Sequence, residues 1–318
     1  MTAYIIRRLI QGLIVIIAVS ILVFLLMRLL PADPLQLYLA QNDIIKISPE
    51  DYQTLLVRFG LDKSLPMQYF DWISDILRGQ FGDSLYYNES VGTLLLERLP
   101  VTAHLAILSI IIASVFGITA GVICALRRGG ALDTFLTSAA NFGISIPIFW
   151  LGVLMIYLFG LYLGLLPLHG YTSPFQDFWM STRQLVMPVT CMAVTAMASK
   201  ARQARSSILE VIRQDYIRTA WSKGLRERTI VVRHVLKNGL IPVVTLIGMQ
   251  VSHIFGGSVL IETVFNIPGM GRLMVSSVFA QDYPVVQGCS LLFALIVVMV
   301  NLIVDISYGW LDPRIRYG

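Results

Sequence analysis

A few polar side chains lie inside long apolar runs, where they could hydrogen-bond to a solute that crosses a membrane. His253 lies beside Gln250 and Met249 in one run, and Asn141 and Ser145 lie in an earlier run. Polar groups are costly in a bilayer and are often functional, although an interhelical hydrogen bond also explains them. These five residues are therefore candidates for lining a path, with packing as the alternative.

Charged side chains are concentrated in the stretch 200–237, which holds ten Lys/Arg against three Asp/Glu. Its pattern predicts two short helices joined by a turn at Gly224, because glycine takes a positive φ at no steric cost. We expect Ile212, Tyr216 and Thr219 to share one face of the first helix. Such a face suits docking to another protein, and a simple positive-inside anchor explains the charge equally well.

The other residues with reactive side chains do not form catalytic or metal-binding patterns. Cys124, Cys191 and Cys289 all fall inside apolar runs and lack metal or disulfide spacing. The four histidines fall in different regions, and no pair has ligand spacing. The sequence has no P-loop, no HExxH motif and no complete dinucleotide fingerprint. We therefore expect no enzyme, no catalytic residue, no metal site and no cofactor bound by this chain.

Composition indicates the environment in which these residues work. Of the 318 residues, 56% are hydrophobic and 14% are charged, and the mean hydropathy is +0.73. A soluble domain carries about a quarter charged residues, so this chain has too little polar surface for water. The net charge of +5 comes from particular loops and not from an amphipathic face, which argues against nucleic acid. The predicted fold class is an all-α integral membrane protein in a lipid bilayer.

Runs without charged residues mark the membrane spans, since about 20 residues cross the hydrocarbon core. Six transmembrane helices are predicted, at 9–27, 99–126, 134–163, 184–200, 238–261 and 283–304. The first run is 19 residues long without a small-residue cleavage site, which favours a retained span over a signal peptide. Pro147 predicts a kink in the third span. Glu262 and Asp305 fall near span ends, where snorkelling or interface pairing explains them.

The loops differ in charge in a way that predicts orientation. Segment 31–98 holds five Lys/Arg against ten Asp/Glu and contains its own helical pattern, LPMQYFDWISDILRG. By the positive-inside rule both termini, the turn 127–133 and loop 200–237 are cytoplasmic. The external parts are then 31–98, 164–183 and 262–282. The chain divides into an N-terminus with the first span (1–30), an external segment (31–98) and a five-span core (99–318) that includes loop 200–237.

Small residues recur four apart on two spans, and such stripes let membrane helices approach closely. They are Ala113, Gly117, Gly121 and Ala125 on the second span and Gly248, Ser252 and Gly256 on the fifth. Packing within one subunit and packing against a second subunit are both consistent with them.

Several segments resemble permease subunits of binding-protein-dependent ABC importers, in particular the dipeptide, oligopeptide and nickel branch. The main match is QDYIRTAWSKGLRERTIVVRHVLKNGLIPVVT (214–245), which resembles the family's cytoplasmic loop. Further matches in the family's order are RLLPADP (28–34), FGLDKSLPMQYFDWISDILRGQFGDSL (59–85), GISIPIFWLG (143–152), GGSVLIETVFNIPGMGRLMVSSVFAQDYPVVQG (256–288) and LDPRIR (311–316). The general family motif has a Glu where this chain has Arg218, a departure that resembles the peptide and nickel branch.

The resemblance implies a coupling helix that sits in a cleft of an ATPase subunit. The residues that match it are Asp215, Tyr216, Arg218, Thr219, Ala220, Lys223 and Gly224. It also implies a second homologous permease, two ATP-binding subunits that hold ATP and Mg, and an external solute-binding protein. The expected location is the inner membrane of a bacterium or archaeon.

Two alternatives to peptide import follow from the same reasoning. Nickel or a metal chelate is the alternative solute within the family. A secondary transporter is less favoured, since we find no inverted repeat and no acidic residue in mid-span.

Overall fold

The computed structural model describes residues 2–29, 48–58 and 62–311, and its regular elements are helices apart from one isolated bridge between Asp83 and Ser90. The helices are α1 Thr2–Leu29, α2 Pro49–Arg58, α3 Leu65–Leu77, α4 Val91–Leu126, α5 Ala131–Ser145, α6 Ile148–Met155, α7 Phe178–Ile212, α8 Asp215–Ser222, α9 Glu227–Gly239, α10 Ile241–Val264, α11 Met270–Phe279 and α12 Tyr283–Leu311. A π-helix, Ile156–Tyr162, continues α6, and α9 is π-helical over Ile230–Leu236.

Length and apolar composition identify the helices that can cross a bilayer. Within the described residues three qualify alone, in α1, α4 and α12. Two bent pairs, α5 with α6 and α9 with α10, raise the number to five if each pair is one span. The second half of α7 carries Lys200, Arg202 and Arg205, and this helix is not among the candidates. The predicted all-α membrane fold is confirmed, and the count of six stays a prediction.

The predicted third span is not one helix. α5 ends at Ser145, α6 begins at Ile148, and their axes differ by 102°. Ile146 has φ −80° and ψ 125°, an extended conformation that fits its place before Pro147, since the ring of a following proline disfavours helical geometry. The expectation of a continuous helix over 134–163 is therefore wrong, and the kink at Pro147 is a complete break.

The contact between α4 and α7 follows the predicted stripe of small residues. Ala113, Gly117, Gly121 and Ala125 are all buried. A Cβ at Gly117 would lie 2.6 Å from the Met197 carbonyl oxygen, and one at Gly121 would lie 2.5 Å from the Ala201 carbonyl oxygen. Backbone atoms cannot move aside as a flexible side chain can. The stripe on α4 thus packs within the chain, the first of the two alternatives.

Two buried clusters close the ends of the bundle. At one end, which we call the elbow end, Ala125 of α4 packs with residues of α7, α8, α9 and α10. At the opposite end, Val91 and Leu94 of α4 pack with Met270 of α11 and Cys289 of α12. Since α4 runs between the two clusters, it fixes the distance between the two ends of the bundle.

The polar segment before α4 contains the predicted helix, α3. Its Tyr69 hydroxyl lies 2.8 Å from the Ser20 hydroxyl of α1, and the Tyr69 ring lies 5.5 Å from the ring of Phe24. α4 begins at Val91, so the predicted boundary at 98/99 falls inside a continuous helix. The segment 30–47, with most of RLLPADP, and residues 312–318, with most of LDPRIR, lie outside the described residues.

Candidate functional site

The elbow, which we define as α8 and α9, turns at Gly224. Its φ is +70°, and the Gly224 N–H donates to the Trp221 carbonyl at 2.9 Å. A Cβ built at Gly224 would meet no atom within 4 Å, so only the backbone angle calls for glycine. The predicted pair of short helices joined by a glycine turn is confirmed.

The inner face of α8 packs against the chain itself. Ile217 is 1% exposed and Ala220 is 8% exposed, and both belong to the cluster that contains Ile208, Ile230 and Val235. Ala220, which matches the family's coupling motif, therefore faces inward. This packing attaches the short helix firmly to α7 and α9.

The predicted shared face of α8 is wrong. Ile212 is the last residue of α7, and Gln214, with φ −69° and ψ 147°, separates it from α8. Tyr216 and Thr219 lie on α8, and both are exposed. The apolar face of α8 is formed by Ile217 and Ala220. The extended Gln214 separates α8 from α7, so residues on the two helices do not follow one helical periodicity.

The outer face of α8 carries most of the predicted coupling residues. Asp215 and Arg218 form an exposed ion pair at 3.4 Å, and Thr219 and Lys223 are exposed beside them. Trp221 is 48% exposed and was not predicted, although an aromatic residue on so short an amphipathic helix is a usable signal. The result is a compact surface with both charged and aromatic groups.

A side-chain hydrogen bond fixes the angle between the two helices of the elbow. The Asn238 amide donates to the Tyr216 hydroxyl at 3.0 Å and to the His234 carbonyl at 3.0 Å. Tyr216 is 44% exposed, so its ring remains available to a partner while its hydroxyl is held. The outer surface is therefore presented by a rigid unit.

The predicted path residues fall on two different helices. Asn141 is exposed on α5, and the Ser145 hydroxyl donates to its carbonyl at 3.0 Å. On α10, Met249 is 58% exposed, and the side-chain amide oxygen of Gln250 (Oε1) has no hydrogen-bond partner in the described part of the chain. The side chain of His253 lies outside the described residues.

Asn141 also lines a cavity of about 620 Å³ between α5 and α7 at the elbow end. The lining includes Arg128, Arg202 and Arg205. Arg205 holds both carboxylate oxygens of Asp133, at 2.7 Å and 2.8 Å, which joins the start of α5 to α7.

Sequence reasoning missed a buried polar cluster at the opposite end. Glu262 is fully buried and accepts from the Thr102 hydroxyl at 2.7 Å and from the Arg272 N–H at 3.0 Å. The Thr102 hydroxyl accepts from the Met270 N–H at 2.8 Å. Of the two explanations given for Glu262, snorkelling or interface pairing, snorkelling is wrong, because the buried carboxylate binds the N-terminus of α11. The glycines of NIPGMG are a sequence signal for this contact, since Gly269 and Gly271 let the backbone approach the Glu262 carboxylate closely.

These features define a helical membrane protein with a packed elbow at one end and, at the other, a short helix whose N-terminus is bound by the buried Glu262. Residues 117–317 match the family described as "Binding-protein-dependent transport system inner membrane component". Residues 1–106 match the N-terminal family of the same transport-system membrane components. The chain belongs to this family of inner-membrane transporter subunits.

Relatives match along the whole chain. The sequence is 38% identical over 317 residues to a protein of Sinorhizobium fredii named "Probable peptide ABC transporter permease protein", with 100% of both chains covered. It is 38% identical over 339 residues to the "Di/tripeptide transport system permease protein DppB" of Pseudomonas aeruginosa, covering 100% of this chain and 99% of that protein.

A solved structure shares the fold. It is an inward-facing form of the MetNI methionine ABC transporter, with a TM-score of 0.57 and 20% identity. The match covers 69% of this chain and 96% of that one.

Proposed function

We propose that this chain is the permease subunit of an ATP-driven ABC importer for short peptides. The observation that carries the proposal is identity of 38% and 41% along the full chain to proteins named as peptide permeases. These names favour peptides over nickel, the alternative solute.

The elbow is the part that receives energy from the ATPase. Its inner face is fixed by Ile217 and Ala220, and its turn is set by Gly224. The outer residues Tyr216 and Arg218, with Trp221 beside them, dock in a cleft of the ATP-binding subunit. Asp215, Thr219 and Lys223 complete that surface. Because the Asn238 contact holds α8 against α9, movement of the docked helix is transmitted to α10.

The assembly contains a second homologous permease, two ATP-binding subunits that bind ATP and Mg, and an external solute-binding protein. The elbow end and both termini face the cytoplasm, and α7 supplies the sixth span. Asn141 and Ser145 on α5 and Met249, Gln250 and His253 on α10 are proposed to line the path.

The experiment that tests the function is ATPase activity of the reconstituted importer with its binding protein, titrated with dipeptides, oligopeptides and Ni²⁺. Stimulation by peptides with ATP-dependent uptake supports the proposal. Stimulation by Ni²⁺ or its chelates alone overturns the solute. Transport by the isolated chain without an ATPase overturns the importer and favours a secondary transporter.

A further inference from the structure

A second cavity, of about 160 Å³, lies at the end of the bundle opposite the elbow. α4 contributes Arg98 to its wall, and α11 contributes Arg272 and Ser276. Tyr87, from the loop before α4, completes the polar lining. The cavity therefore brings two guanidinium groups and two hydroxyls together from three separate parts of the chain.

Neither guanidinium has a carboxylate partner within 4.0 Å in the part of the chain that the structure describes. The carboxylates of the buried residues Asp282 and Glu262 accept their hydrogen bonds from neutral donors. Asp282 accepts from the Ser84 hydroxyl at 2.5 Å and the Tyr86 N–H at 3.2 Å. Glu262 accepts from Thr102 and from the backbone of Arg272, not from its side chain. Two positive charges are thus left to face the cavity.

The walls of the cavity are held in place by buried structure. The Arg272 backbone is bound to Glu262, and Leu273 belongs to the buried cluster of α4, α11 and α12. Leu94 and Leu95, one turn before Arg98, lie in the same cluster. The Tyr87 N–H donates to the Ser84 hydroxyl at 2.8 Å, which fixes the loop. The backbone segments that carry the two arginines are therefore held in place by buried contacts.

Tyr87 is suited to donate a hydrogen bond here. Burial raises the pKa of its phenol. The hydrogen bond with the Ser276 side chain and the positive charge of Arg98 act against this rise. The hydroxyl therefore stays protonated at neutral pH.

The ligand that this geometry suits is a carboxylate. Guanidinium groups bind carboxylates through paired hydrogen bonds, and the small volume leaves little room for a side chain of variable size. If the proposed function is correct, the solutes differ in sequence but all carry a carboxylate at the C-terminus. We propose that Arg98 and Arg272 bind the C-terminal carboxylate of the peptide as it enters the permease, which would make this chain selective for a free C-terminus.

The test compares a tripeptide with its C-terminal amide in the complete importer, reconstituted in proteoliposomes with its binding protein. Both peptides are supplied above the concentration that saturates the binding protein, measured beforehand by its fluorescence. The variants are Arg98→Gln, Arg272→Gln and the double substitution. Arg78→Gln is the matched control, because Arg78 is an exposed arginine that does not line the cavity. Initial uptake rates are measured, together with the affinity of the importer for the empty binding protein.

The wild-type importer should move the free acid about tenfold faster than the amide, as expected for the loss of one charged contact. The double variant should move both at the slow rate, and Arg78→Gln should behave as wild type. Equal rates for acid and amide in the wild type overturn the inference, and this arm needs no substitution. An unchanged acid-to-amide ratio in the double variant also overturns it.

Two further outcomes distinguish failure of this inference from a docking role of the cavity and from failure of the proposed function. A loss of affinity for the empty binding protein, with the acid-to-amide ratio unchanged, makes the cavity a docking contact and overturns the inference. Failure of the wild type to take up either peptide overturns the proposed function itself, and with it the solute on which the inference rests.

Discussion

Gly224 determines the shape of the elbow at a single residue. Its φ of +70° costs a residue with a side chain about 1–2 kcal/mol, and a β-branched side chain more. Gly224→Val should therefore shift the turn away from its native geometry and uncouple ATP hydrolysis from transport. We expect the number of ATP molecules hydrolysed per peptide transported to rise about tenfold, measured in proteoliposomes.

Gly224→Asn is the matched control, because asparagine tolerates a positive φ and the space around the Cβ is open. It should retain most of the coupling. Uptake by Gly224→Val at the wild-type rate and ATP ratio would show that the backbone angle does not matter for coupling.

Thr102 links the Glu262 carboxylate to the first residue of α11, beside the direct contact between Glu262 and the Arg272 N–H. Its hydroxyl donates to the Glu262 carboxylate and accepts from the Met270 N–H, and all three residues are buried. Thr102→Val leaves a buried carboxylate short of one donor, which should cost about 1–3 kcal/mol. Thr102→Ser keeps the hydroxyl and should cost much less. Thermal unfolding of the importer in nanodiscs measures both, and equal stability of the two variants would contradict this role.

At the scale of elements, the close contact of α4 and α7 depends on glycine. A Cβ at Gly121 would lie 2.5 Å from the Ala201 carbonyl oxygen and 2.6 Å from the Ala204 Cβ. Gly121→Ala should force the helices apart and destabilise the chain by about 1–3 kcal/mol. Thr119→Leu, on the exposed side of α4, adds more volume without a clash and should be tolerated. Thermal aggregation of the two variants is compared. A larger loss of stability in Gly121→Ala would show that the position of the added group, and not its volume, causes the destabilisation.

The sequence predicted the elements whose pattern is local. The apolar runs predict α1, α4 and α12, the segment LPMQYFDWISDILRG predicts α3, and the pattern around Gly224 predicts the turn of the elbow. What it missed depends on tertiary contacts. The charge of Lys200 predicts the end of the span at 184–200, yet Lys200 is fully buried beside Gly117 within α7. The roles of Glu262 and Asp282 follow from donors distant in sequence, which periodicity does not report.

At the scale of the whole molecule, the two ends of the bundle present different chemistry on one rigid helix pair. The elbow end has an exposed surface of charged and aromatic residues, and its inner side is packed with apolar residues. The opposite end has two guanidinium groups, those of Arg98 and Arg272, and the nearby carboxylates of Glu262 and Asp282 are hydrogen-bonded to other donors. α4 joins the two, since Ala125 lies in the elbow cluster and Val91 in the opposite one. In the proposed function, solute binding at one end and ATPase docking at the other would be connected through these packed helices.

The proposed coupling requires that the elbow end face the cytoplasm. Arg127, in the turn after α4, is exposed at the elbow end, and Arg78, after α3, is exposed in the polar segment before α4. The native cysteines Cys124, Cys191 and Cys289 are buried, so the background of thiol labelling should be low. In sealed right-side-out vesicles, a membrane-impermeant maleimide should label Arg78→Cys and not Arg127→Cys, and inverted vesicles should give the reverse. The native chain controls for background labelling. Labelling of Arg127→Cys from outside would place the elbow beyond the reach of ATP and remove the proposed coupling, whatever the solute.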